Sequence, residues 1–132
     1  MPGRPPFAEF FVSHHIGDYL LQTDFQALNK KHGLTDGEDS RRALVNHALT
    51  YTAAFVPALL GVARRTSVPR AVGIAALIAL PHMAIDDGRL LEAYMRKVKH
   101  HDSGDDGALR ASVDQSAHIV CLWAAARLAG RA

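Results

Sequence analysis

Residues 71–89, AVGIAALIALPHMAIDDGR, begin as an apolar run without alternation and end with His82 and Asp86 four positions apart. The 15 residues from Ala71 to Ile85 carry no formal charge, which is too long for an ordinary strand and predicts a helix. On a helix, His82 and Asp86 share one face. A purely structural helix gains nothing from them there, because burying an unpaired polar or charged group costs free energy. The stretch therefore predicts a core helix that carries chemistry.

Three further segments show helical periodicity, and no run alternates long enough for a sheet. The expected class is all-α, a four-helix bundle with His and Asp from all four helices directed at the core. Helix 1 is expected from about Phe7 to about Lys30, and helix 2 from about Arg41 to Ala63. Asp39 or Ser40 can cap helix 2, and Pro57 predicts a kink within it. Helix 3 begins near Arg70 with Pro69 in its first turn and can run to Lys99, with Pro81 and Gly88 as places for a bend or break. After the polar loop HHDSGDDG, helix 4 covers about Ala108 to Leu128. At 132 residues the chain is expected to be a single domain.

The pattern at 82 and 86 recurs. HHIGD places His14 and Asp18 four apart on helix 1, and DQSAH places Asp114 and His118 four apart on helix 4. Helix 2 adds His47 in NHALTY. One His with an acid a turn away is ordinarily a surface pair. Three such pairs differ, because His47, His82 and His118 sit in apolar surroundings where an imidazole needs a partner, and one shared ion partners them all.

Side chains at i and i+4 can reach one ion about 2.0–2.2 Å from their donor atoms. Four His and three Asp (His14, Asp18, His47, His82, Asp86, Asp114 and His118) are too many for one tetrahedral zinc and about right for two divalent ions sharing a bridging carboxylate or hydroxide, with positions open for water and substrate; one or two ions are expected. Nitrogen and oxygen ligands without thiolate predict zinc first, with manganese or iron as alternatives.

Register tests this expectation. His47 lies 19 residues before the connection at residue 66 and Asp86 lies 20 after it, so the two stand at equal height. Asp18 and His47 differ by about 9 Å on straight helices, which requires helix 1 to end early or tilt. His15 points away from His14 and reads as a neighbour, while Gln22, Asn46 and Gln115 can orient ligands or substrate. His32, His100 and His101 read as solvated loop residues. Asp87 and Arg89 read as exposed or as contacts for a substrate anion. Met83, Trp123 and the phenylalanines read as core.

With 15 Lys and Arg against 13 Asp and Glu, the net charge of +2 gives no basic stripe and no case for specific nucleic-acid binding. The lone Cys121 excludes an internal disulfide and fits a reducing compartment. MPGRPPFAEFF lacks the pattern of a signal peptide and reads as an extended arm. Ala43 to Ala63 is 21 residues without a formal charge, long enough to span a bilayer, but the other segments are shorter and basic residues occur in every connection. A cytoplasmic protein is the expectation, with the cytoplasmic membrane as the alternative if the helices insert.

HHIGDYLLQTDF, NHALTY, HMAID and DQSAH, in that order, resemble the small helical bacterial proteins of domain-of-unknown-function family 3307 over essentially the whole chain. Ala43 stands where that pattern has a second histidine, so no ligand is expected from it. The repeated HxxxD pattern is also similar to that of membrane-bound metal-dependent hydrolases regulated by the SOS response, and more distantly to helical zinc phospholipases C and single-strand nucleases. That similarity implies hydrolysis of phosphoesters, with Asp18 or Asp114 managing a proton. Two other functions fit the residues. One is a di-iron or di-manganese redox protein, which usually draws on glutamates, and Glu9 and Glu92 lie outside the constellation. The other is a metal-stabilised scaffold without catalysis.

Overall fold

The computed structural model describes residues 4–101 and 107–130. It is all-α, with no strand among the described residues. The four expected segments become seven helices and one π-helical turn: α1 Phe7–His15, the π-turn Ile16–Leu20, α2 Asp24–Asn29, α3 Glu38–Ala54, α4 Val56–Arg65, α5 Val68–Asp86, α6 Arg89–Lys97 and α7 Gly107–Ala129. The loop expected at HHDSGDDG falls mostly on residues 102–106, outside those described.

Each division has a local cause. The helix expected over Phe7–Lys30 ends at His15 and widens into the π-turn, closed by the Leu21 amide donating to the Ile16 carbonyl at 2.9 Å. A Cβ on Gly17 would lie 2.7 Å from Tyr51 Cδ2 and 3.1 Å from Tyr51 Cα, so only glycine lets this turn press against α3. Thr23 then starts α2 with a capping box completed by Gln26. Ending helix 1 early removes the height mismatch between Asp18 and His47.

The expected helix 2 divides at Phe55, with Pro57 in the first turn of α4, and the two halves bend by 54°. Asp39 and Ser40 lie inside the first turn of α3 and do not cap it; Gly37 is the N-cap and supplies no side-chain bond. Ser67 caps α5 by accepting from the Arg70 amide at 3.3 Å. Helix α5 continues through Pro81 and stops at Gly88, whose φ of +86° sets a left-handed N-cap for α6. Of the two expected break points, only Gly88 divides the helix.

Helix α5 is central, packing against α3, α4 and α7, while α1 lies on α7 and α3. The apolar core joins Phe10, Tyr51, Phe55, Val62, Ile78 and Leu122. Trp123 is 56 % exposed, and Phe11 and Phe25 are also exposed, contrary to the expectation of core. Each stands next in sequence to a buried residue (Leu122, Phe10 and Gln26), about 100° round its helix and so turned off the buried face. By length and composition α5 can cross a membrane, and α3 with α4 would make a second span if the bent pair were one. Only 28 % of the apolar window of α5 is buried.

Candidate metal centre

On each of four helices the buried stripe passes from apolar to polar residues at one level. Phe10 precedes His14 on α1 and Asp18 in the π-turn; Phe55 and Tyr51 adjoin His47 on α3; Ile78 precedes His82 and Asp86 on α5; Leu122 adjoins His118 on α7. None of the four imidazoles is more than 2 % exposed.

Two groups in this cluster can hold a metal ion. Asp18, His47, His82 and Asp86, all buried, offer ligand atoms within 4.8 Å of one another. His47 Nε2 is 3.1 Å from Asp18 Oδ1, 3.0 Å from Asp86 Oδ2 and 3.1 Å from His82 Nε2. His82 Nε2 is 3.0 Å from Asp86 Oδ2 and 3.6 Å from Asp18 Oδ1. A tetrahedron with metal–ligand bonds of about 2.0–2.1 Å has edges of about 3.3–3.4 Å, so the quartet matches one ion. The two Nε2 atoms face each other, so only one of them can carry the proton of a hydrogen bond between them.

The second group is Asp86, Asp114 and His118. His118 Nε2 lies 3.3 Å from Asp86 Oδ1 and 3.6 Å from Asp114 Oδ2, yet it is buried without a hydrogen-bond partner. Asp86 thus turns one oxygen to each group. The Nδ1 atoms of His82 and His118 are 3.1 Å apart. One ring donates its Nδ1–H to the other, so the accepting ring, as a neutral imidazole, carries its single N–H proton on Nε2. His47 Nδ1 is also buried without a partner.

His14 belongs to neither group. Its Nδ1 is 2.9 Å from the Tyr51 hydroxyl and its Nε2 2.9 Å from Gln115 Oε1. The amide of Gln115 donates in turn to Asp114 Oδ2 at 3.3 Å. Asp18 Oδ2 is 3.8 Å from His14 Nδ1, a contact on the outer side of the quartet. Tyr51 also stacks on His82, with ring centroids 3.4 Å apart and an interplanar angle of 8°.

Tyr51 and Lys30 are the residues that sequence reasoning missed. Tyr51 stands four after His47 and so shares its face, a signal present in NHALTY. Lys30 looked like a basic connection residue, but its ammonium donates to Asp86 Oδ2 at 3.0 Å and to Gln22 Oε1 at 2.7 Å. Gln22 therefore reaches the cluster through Lys30, Gln115 bonds both His14 and Asp114, and Asn46 is exposed. Asp87 is buried rather than exposed, accepting from the Leu34 amide at 3.0 Å, which ties down the loop before α3. His32 is not simply solvated, since it bonds Glu92 at 3.2 Å.

Burial and pairing act against each other on these groups. Burial lowers the His82 imidazole to about 4 despite Asp86, and it also lowers His14. Burial works to lower His47 as well, but its hydrogen bonds to the Asp18 and Asp86 carboxylates outweigh it and raise that imidazole. Burial acts to raise Asp86, whereas the close imidazoles of His118, His47 and His82 hold its carboxyl far below the usual range. His47 does the same to Asp18 more mildly, while burial pushes Asp114 up.

The profile of the family described as "Protein of unknown function (DUF3307)" matches residues 7–131. No curated protein and no solved structure matches the chain.

Proposed function

The chain belongs to the DUF3307 family, and from the geometry of its buried cluster we propose a metal-dependent hydrolase acting on phosphoesters. Helices α1, α3, α5 and α7 serve as the four-helix frame of the site. Asp18, His47, His82 and Asp86 hold one divalent ion, zinc by the tetrahedral spacing of two nitrogens and two oxygens. This near-tetrahedral quartet is the observation that carries the reading.

The proton shared by His82 and His118 argues for one tightly held ion. With His82 Nε2 free to bind metal, His82 Nδ1–H donates to His118, and His118 keeps its proton on Nε2 beside Asp86 Oδ1. A second ion at Asp86, Asp114 and His118 then requires the His118 ring to give up that bond. His14 acts as an outer partner, held by Tyr51 and Gln115 and facing Asp18.

When bound, the ion supplies Lewis acidity and a water of lowered pKa. In the hydrolysis, water oxygen forms a bond to phosphorus as the ester P–O bond breaks. The water loses one proton and the departing alkoxide gains one. Asp114 is the carboxyl assigned to this transfer, because it borders an opening to solvent while Asp18 is 6 % exposed and bonded to His47.

One observation favours a second reading. Four protein ligands fill a tetrahedron, and closed tetrahedral zinc sites are structural. Elemental analysis of protein purified without chelator tests the metal claim, with about one ion per chain expected and little in His82→Ala. Phosphomonoester and phosphodiester assays with Zn, Mn and Fe test the reaction. In cobalt-substituted protein, a visible band that shifts when inorganic phosphate is added supports catalysis, and an unresponsive four-coordinate band supports the structural role.

A further inference from the structure

Two cavities meet at the solvent side of the cluster. The first, about 220 Å³, is bordered by Asp86 and Asp114 and by three cations, Lys30, Lys31 and Arg110. The N-terminal turns of α6 and α7 also line it, through Gly88 and Leu91 and through Gly107, Arg110 and Ala111. A helix N-terminus carries the positive end of the helix dipole, which favours anions. Arg110 is held in place by Glu92 at 3.3 Å, and Lys30 by Gln22 and Asp86.

The second cavity, about 460 Å³, is a groove between α6 and α7 that is almost wholly apolar, lined by Tyr94, Val113, Ala117, Val120 and Cys121 among others. Ile85 and Leu91 line both cavities, so the cationic pocket and the groove adjoin at these two side chains. Leu90 and Val120 on the groove are 63 % and 64 % exposed, apolar surface that a bound chain would cover.

We infer that the substrate is an amphipathic phosphoester, its phosphoryl group in the cationic pocket beside Asp86 and Asp114 and its apolar chain in the α6–α7 groove. This deepens the hydrolase reading and rests on it for the reaction, but the two cavities bind such a molecule by their own cations and apolar walls. Lys30 and Arg110 grip the head, and the groove selects for chain.

The test is binding of inorganic phosphate and a series of n-alkyl phosphates, by calorimetry, to protein of measured metal content, both metal-loaded and chelator-treated. Affinity is expected to rise about two- to fourfold per methylene until the groove is filled. Arg110→Gln and Lys30→Gln should weaken the whole series about tenfold or more, phosphate included. Ala117→Trp, which fills the groove, should abolish the dependence on chain length and leave phosphate binding unchanged. Equal affinity along the series, or a chain dependence that survives Ala117→Trp, overturns the inference. Circular dichroism of each variant excludes misfolding, and the more conservative Val113→Thr should give an intermediate loss of chain dependence. If the wild type holds no metal, the hydrolase reading fails, while the chelator-treated series still decides the binding claim. Sedimentation with phosphatidylcholine vesicles, with and without phosphatidic acid, separates a bilayer lipid from a soluble amphiphile. Co-sedimentation only with phosphatidic acid identifies the lipid, and soluble alkyl phosphate binding without it identifies the free ester.

Discussion

The two ends of the protein's interior follow one helical spacing and obey opposite chemistry. At one end, Phe10, Phe55, Val62, Ile74, Ile78 and Leu122 exclude water and need no specific partner. At the other, the same α1, α3, α5 and α7 bring in four imidazoles and the carboxylates Asp18 and Asp86, with two ring nitrogens left without hydrogen bonds. Apolar burial is non-directional and tolerates small shifts, whereas a buried polar cluster is favourable only when each group is partnered. The apolar end can therefore hold the fold, whereas the polar end brings together groups that could hold a metal ion.

Substitutions at the two ends should separate these roles. Asp86→Ala removes the one residue common to both ligand groups; metal content should fall from about one ion per chain to near zero, read by elemental analysis. Phe55→Ala should cost about 3–5 kcal/mol in denaturant unfolding while metal content stays unchanged. Retention of metal by Asp86→Ala, or its loss from Phe55→Ala, would break the division between the ends.

Chelation should act on one end only. Removing an ion present at about a thousand times its dissociation constant costs about 4 kcal/mol, a fall in Tm on the order of 10 °C for a chain of this size. The same fall is expected in Phe55→Ala and none in Asp86→Ala, read by thermal scans with and without EDTA.

Without metal, the polar end should also make stability depend on pH. An unfolded imidazole titrates near 6.5. His82 is lowered to about 4 and His14 is lowered too, so the unfolded chain binds more protons below pH 6.5 and stability falls as the pH drops from there towards 4. His47 is raised, so its contribution is present below pH 6.5 and is lost as the pH rises through its folded value. Stability of the chelated protein should peak near pH 6.5, and His82→Leu should flatten the acid side.

The smallest effect is expected at the boundary between the ends. Tyr51→Phe keeps the stack on His82 and removes only the hydroxyl that bonds His14. It should cost about 1 kcal/mol in unfolding and lower metal affinity about tenfold, the lower end for outer-shell partners. A larger loss of affinity would move His14 into the metal's own ligand set.

Much of this was legible along the chain because helical spacing is a local property. The apolar runs and the His82/Asp86 spacing predict buried helices with polar faces, and Pro57 and Gly88 mark real breaks. The π-turn at Ile16–Leu20 was not legible, since it depends on Gly17 meeting Tyr51 from another helix. Tyr51 carried a weak signal in its spacing from His47, but nothing near Lys30 in the chain announces its contact with Asp86, 56 residues away.

Taken by itself, the sequence determined an all-α chain, the helix faces that carry His and Asp, and the family to which it belongs, because periodicity and motif order reside in neighbouring residues. Only the tertiary structure decided which of those side chains meet. It drew Asp18, His47, His82 and Asp86 into one buried group whose ligand atoms lie within 4.8 Å of one another, set His14 outside it and placed a cationic pocket beside an apolar groove. Those choices depend on how far each helix runs and how closely it approaches its neighbours, which packing settles and local spacing does not.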